Sequence, residues 1–155
     1  MSASEFQSLS NSIADEVGRL LPEILSVPED FQIANGNCVL CIMNAAGDTV
    51  MRMYGGSNRV RQREAAQVAM KKASQVWLTG YATGIYETLV YGGKLDPEQF
   101  GIPHPEFIGW FGGVEAKTKN GERLVLAFSG VRGEQDVGIL RLAAKNLKTF
   151  SVVDH

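Results

Sequence analysis

The stretch CVLCIMNAAGDTVMRMY, residues 38–54, decides the fold class. Its first seven residues, Cys38 to Asn44, form an almost unbroken apolar run of strand length. Ala45-Ala46-Gly47-Asp48 has turn composition, and residues 49–54 return as a second strand. A turn this short joins antiparallel neighbours; parallel ones need a crossover of a dozen residues or more. The two cysteines of the chain, Cys38 and Cys41, lie in the first strand as C-x-x-C. That spacing suits redox or zinc chemistry on a loop. On a strand, side chains three apart point to opposite faces, and no second cysteine pair completes a zinc site. Two reduced, buried core thiols are expected, and no metal site.

Helical patterns lie on both sides of the hairpin. Phe6, Leu9, Ile13, Val17, Leu20 and Ile24 recur at spacings of three and four, which predicts a helix over 5–25, with Pro22 as a possible kink. Pro28 and Ala34-Asn35-Gly36-Asn37 read as a break. After the hairpin, Gly55-Gly56-Ser57-Asn58 can cap a helix. An alanine-rich, proline-free helix is expected over 60–78, interrupted at Gly80, and a shorter one over 81–91, ended by Gly92-Gly93. A proline-punctuated loop covers 94–106, then a strand or extended segment 107–111. Strands are expected at 114–118 and 123–129, joined by a turn at Asn120-Gly121, and a final helix at 134–147. The order is helix, hairpin, two helices, hairpin, helix. It predicts an α+β fold, an antiparallel sheet of about five strands flanked by helices, in a single domain spanning 1–155.

Bulk properties narrow the function classes. A chain of 155 residues is long enough to build a core without staples. Apolar residues make up 45% and charged residues 21%, with net charge −2, so a dedicated nucleic-acid partner is not expected. The first residues have neither the basic nor the apolar region of a signal peptide. No apolar run approaches a membrane span. A cytoplasmic location without membrane partners is the expectation.

The last third carries a family likeness. Residues 127–136, AFSGVRGEQD, are similar to the strand-loop-helix motif G-V-S-G-x-x-G-E-Q-D of the GlcG/HbpS-like family, which includes haem-binding and PduO C-terminal-like proteins. Gly112-Gly113 resembles the family's G-G-x-P turn. The hairpin around Gly47 and the alanine-rich helix containing Lys72-Ala73 also fit. The chain departs from the pattern at Asn44, Glu115 and Ala127, where aspartate, proline and glycine are usual. The resemblance implies an antiparallel sheet flanked by helices, haem or tetrapyrrole binding or an accessory role, and a homo-oligomer. The blocks at 77–87 and 107–113 further resemble hydroxylaminobenzoate lyases of nitroarene breakdown. That likeness implies a carbon–nitrogen lyase without a cofactor. It would convert a hydroxylaminobenzoate, a small aromatic carboxylate, to a dihydroxybenzoate and ammonia.

Several side chains are candidates for this chemistry. Trp77, Tyr81, Tyr86, Phe107, Trp110 and Phe111 concentrate flat side chains in two short blocks, suited to a flat aromatic ligand or to a core. Glu87, inside the first block, is the candidate proton donor. Tyr81 and Trp110 would line the ring. Arg59, Arg61 and Arg63 open the second helix, where cations oppose the helix dipole. Arg63 or Arg132 is the candidate partner of a ring carboxylate. Glu134 and Asp136 read as charges at a helix start, and Glu115 as an alternative acid. His104 is the one histidine suited to ligate haem iron. Ser129 has no neighbouring histidine in sequence to make it a nucleophile. No P-loop or dinucleotide fingerprint is present.

Overall fold

The hairpin at 38–54 begins a five-stranded antiparallel sheet. A computed structural model describes residues 1–103 and 106–153; His104 and His155 lie outside them. The elements in chain order are α1 (Ala3–Ile24), α2 (Pro28–Ala34), β1 (Asn37–Asn44), β2 (Thr49–Gly55), α3 (Arg59–Thr79), α4 (Thr83–Tyr91), a 3₁₀ turn (Pro97–Phe100), β3 (Gly113–Thr118), β4 (Arg123–Ser129), α5 (Gly133–Leu147) and β5 (Phe150–Val152). The strand order is β2-β1-β4-β3-β5. Every pairing is antiparallel, with Val39 opposite Met53 and Cys41 opposite Ala127.

Local chemistry sets the helix ends. Ser2 and Glu5 form a reciprocal capping box at the start of α1. Pro22 lies near the end of α1, within the helix. The Asn58 Oδ1 accepts the Arg61 N–H at 3.1 Å and opens α3. Gly80, at φ 77°, closes it in a left-handed conformation that only glycine adopts at little cost. The next helix therefore starts at Thr83.

The two faces of the sheet are covered unequally. On one face, α1 and α5 pack Ile13, Val17, Ile139 and Leu140 against Leu40, Ile42, Leu124, Leu126 and Phe128. On the other, α3 lays Ala65, Ala69, Ala73 and Val76 on Val39, Cys41, Val125 and Ala127. Fully burying a Leu, Ile or Phe contributes roughly 1.5–3 kcal/mol, so the first face carries most of the apolar stabilisation. The alanine face brings the α3 backbone close to the sheet. Cys38 faces the first core and Cys41 the second, both as buried free thiols. Burial pushes both up to about 12, so neither is a nucleophile.

Three local expectations are corrected. The break at 28–37 contains α2, started by Pro28 at its first position. Residues 107–111 form no strand or helix. The three-residue edge strand β5 follows α5, unforeseen because it is too short to show alternation.

Candidate ligand site

A trough runs between α3 and the irregular segment 107–112. Backbone groups outside a ladder still need partners, and two side chains supply them. Gln75 acts as a surrogate strand: its Nε2 donates to Ile108 O at 2.8 Å and its Oε1 accepts the Ile108 N–H at 2.7 Å. Thr83 Oγ1 donates to Trp110 O at 2.7 Å and accepts the Gly113 N–H at 3.2 Å. Both clamps are buried. They hold the rings of Trp110 and Phe111 outward, 67% and 52% exposed.

The trough consists of two adjoining pockets that share Val68 and Trp110, each of about 420 Å³. The inner one is lined by Arg61, Lys72, Phe111, residues 129–131 and Asp136. The outer one is lined by Lys71, Glu87, Tyr91, Phe107 and Gly109. Arg61, Val68, Lys72 and Gln75 are spaced 7, 4 and 3 residues apart and so form one stripe of α3. That periodicity was the available signal for Arg61. Arg59 and Arg63, four apart, share a different stripe and border an open cleft beside Gly55-Gly56.

Lys72 and Asp136 meet in the floor of the inner pocket. Lys72 Nζ donates to Asp136 Oδ2 at 2.8 Å and to Phe128 O at 2.9 Å. Asp136 Oδ1 accepts the Val131 N–H at 3.2 Å. Burial raises Asp136 to about 6, against the opposing pull of Lys72, and the same burial lowers Lys72. Asp136 stands in the first turn of α5, as expected of a charge at a helix start, and it is also buried against Lys72. Gly112, at φ 118°, closes the floor: a Cβ there would lie 2.7 Å from Lys72 Nζ and 2.8 Å from Asp136 Cβ.

The expected site residues are only partly gathered. Glu87, Phe107 and Trp110 share the outer pocket. Glu87 is half-buried, and its carboxyl group occupies the space a Cβ on Gly109 would need. Tyr81 and Tyr86 lie in a separate aromatic cluster with Phe100, their rings 6.3–6.5 Å apart, and Phe107 joins it at 5.6 Å from Tyr86. Tyr86 is fully buried, and among the described residues its hydroxyl has no hydrogen-bond partner. Trp77 lies elsewhere, donating to Ala45 O at 3.2 Å in the β1–β2 turn. Arg63 borders its own cleft.

Arg132 is occupied. Its Nε and NH2 donate to the two oxygens of buried Asp30 at 3.0 and 2.9 Å, and its backbone N–H to Oδ1 at 3.0 Å. These bonds hold Asp30 below the usual carboxylate range. Glu115 pairs with Arg123 at 2.8 Å, and Arg123 also donates to the carbonyls of Val76 and Trp77 near the end of α3. His104 is outside the described residues. Among those described, no group of three or more His, Cys, Asp or Glu side chains could hold a metal. Among them too, no helix is long and apolar enough to cross a membrane.

An antiparallel sheet with an alanine helix on one face and two helices on the other defines a GlcG/HbpS-like α+β fold. Solved structures bear this out. A structure described as a PduOC:haem complex matches with TM-score 0.64 and 18% identity, covering 100% of this chain and 98% of that one. The Klebsiella pneumoniae protein ORFY, of the family model DUF336, matches with TM-score 0.67 and 17% identity over 91% and 88%. HbpS matches with TM-score 0.58 and 15% identity over 87% and 86%. The family likeness read from residues 127–136 is thus met by a likeness of fold. No family model and no curated protein matches the chain.

Proposed function

We propose that the chain binds a flat, carboxylate-bearing aromatic ligand in the trough, and that the ligand is haem or a related tetrapyrrole. The observation that carries this is the pair of rings, Trp110 and Phe111, held outward by the buried clamps Gln75 and Thr83. Exposing two large aromatic side chains beside a cavity has a use when a planar ligand covers them. The PduOC structure of the same fold is described as a haem complex. The residues present fit such a group at its face and its acidic edge. Trp110 and Phe111 would stack on the macrocycle, and Arg61 would meet a propionate. Tyr91, at the outer pocket, is a side chain of iron-binding type. Haem would supply redox or gas-binding chemistry; the chain's part is to hold and shield it. Haemin titration should give a saturable Soret band, weakened in Trp110→Ala. No Soret change at saturating haemin would overturn the haem reading.

A second reading rests on Glu87, half-buried between aromatic walls and packed on Gly109. In a hydroxylaminobenzoate lyase, Glu87 would protonate the departing N-hydroxyl group. Water would add to the ring and ammonia would leave, so that hydroxylaminobenzoate plus water gives dihydroxybenzoate plus ammonia. Tyr81, the other expected catalytic side chain, stands in the cluster with Tyr86 and Phe100 and does not line this pocket. Ammonia release abolished by Glu87→Gln would support it; no release from any ring isomer would end it. In either reading we infer a homo-oligomer, since Phe31 on α2 and Val60 on α3 are exposed apolar side chains. Light scattering giving the single-chain mass of 16.9 kDa would refute that. The reduced, buried thiols suit a cytoplasmic setting.

A further inference from the structure

We propose that Lys72 is an anion-holding residue of the inner pocket, donating an N–H to a carboxylate oxygen of the ligand while Asp136 fixes its ammonium in place. This rests on the reading that the trough binds a carboxylate-bearing planar molecule, and it adds which end of the ligand enters first.

An ammonium carries three N–H donors. Among the described residues, Lys72 Nζ has two acceptors, Phe128 O and Asp136 Oδ2. Asp136 in turn spends its other oxygen on the Val131 N–H. The carboxylate is satisfied by the protein while the ammonium keeps one donor, and Lys72 lines the pocket. The side chains of the pair are only 2% and 4% exposed. In such a setting a charged hydrogen bond is strong and an unused donor is costly.

The charge around the pocket has the same sense. Its lining holds two cations, Lys72 and Arg61, against one anion, Asp136. Glu64, 3.9 Å from Arg61, is exposed and does not line the pocket. An anionic oxygen is the complement of that balance. With the carboxylate held at Lys72, the aromatic body would extend past Trp110, which lines both pockets, toward the outer pocket and Glu87. A pair that only locked α3 to β4 and α5 would have no need to border a cavity.

Benzoate and benzamide, equal in shape and different in charge, test this by NMR on the full chain. Benzoate should move the Lys72 ammonium ¹⁵N signal and the Val131 amide saturably, and benzamide should bind at least about tenfold more weakly. The double variant Lys72→Met/Asp136→Asn removes both charges together and should keep the fold. It should lose at least about tenfold in benzoate affinity while a thermal melt stays cooperative. An unmoved Lys72 signal at saturating benzoate, equal binding of benzamide, or no benzoate binding at all would overturn the proposal. The wild-type Lys72 signal decides the matter even if the double variant fails to fold. A haemin Soret band alongside an unmoved Lys72 signal would leave the planar-ligand reading standing and remove this one. A moved Lys72 signal without any Soret band would do the reverse for haem.

Discussion

Two ion pairs flank the loop that joins β4 to α5, and they are built differently. Lys72–Asp136 is buried at both ends, and its ammonium borders a cavity. Asp30–Arg132 has a buried carboxylate, but its guanidinium is 36% exposed and has Glu29 at 3.4 Å as a further partner. The second pair fills a fork geometry, with the two side-chain nitrogens and the backbone N–H all on one carboxylate. It ties α2 to the start of α5. Sequence motif alone makes Arg132 the candidate for binding an external carboxylate, because it stands in a glycine-flanked loop. The internal carboxylate of Asp30 has that place instead. A cation matters to a ligand when its donors remain unspent, not when its loop looks permissive.

The largest expected effect breaks the first pair. Lys72→Met should leave Asp136 buried without a cation and cost about 3–5 kcal/mol in urea unfolding. Adding Asp136→Asn should recover much of the loss, because removing both charges avoids the unpaired one. A single variant as stable as wild type would mean that the pair is more hydrated than its burial indicates.

Asp30→Asn should cost less, because the exposed Arg132 guanidinium regains water when its partner loses charge. Its effect should be local. Hydrogen exchange should quicken in Pro28–Ala34 while β1 and β4 stay protected. Quickening throughout the sheet would show that this pair, too, supports the core.

The pH dependence separates the pairs by sign. Asp136 is raised from an ordinary 3.8 to about 6. Between those values the native chain keeps a proton that the unfolded chain has released, so stability should fall as pH rises from about 4 to about 6. Asp30 is shifted downward. Its contribution is complete above the unfolded value of 3.8 and is lost as pH falls below it. Denaturant melts across this range should show both limbs. Lys72→Met/Asp136→Asn should flatten the upper limb and leave the acid one. Persistence of the upper limb in that variant would assign it to another group.

The smallest expected change in stability is at Trp110. Trp110→Ala removes a ring that is 67% exposed, so unfolding free energy should move by about 0.5 kcal/mol or less. Haemin affinity should nevertheless fall. A large loss of stability would make Trp110 a core residue rather than a wall for a ligand.

Much of the fold was legible because it depends on near neighbours. The apolar run at 38–44, the Gly47 turn, the three-and-four spacing in α1 and the Asn120-Gly121 turn are local patterns, and each became the element it described. The failures are also local in origin. α2 and β5 are too short to show a period, and the 107–111 segment is extended in composition but finds its partners in Gln75 and Thr83 rather than in a strand. Glu87, Phe107 and Trp110 were foreseen together and share a pocket. Gln75 and Thr83 were not singled out, Lys72 stood only within the family likeness, and Arg61 was noted only with Arg59 and Arg63 as a cation at a helix start, although the stripe on α3 could have joined Arg61, Lys72 and Gln75.

By itself the sequence determined which segments are helix or strand, that the sheet is antiparallel, and that Cys38 and Cys41 point to opposite faces. Each follows from backbone geometry over a few residues. Only the tertiary structure decided that Lys72 meets Asp136 across 64 positions and that Arg132 meets Asp30 across 102. It alone turned Trp77 to the β1–β2 turn and Arg61, rather than Arg63, into the trough. The physical reason is that a charged side chain takes its role from whichever partner comes within about 3 Å. That distance is set by how whole helices pack on the sheet, not by the residues beside it in the chain.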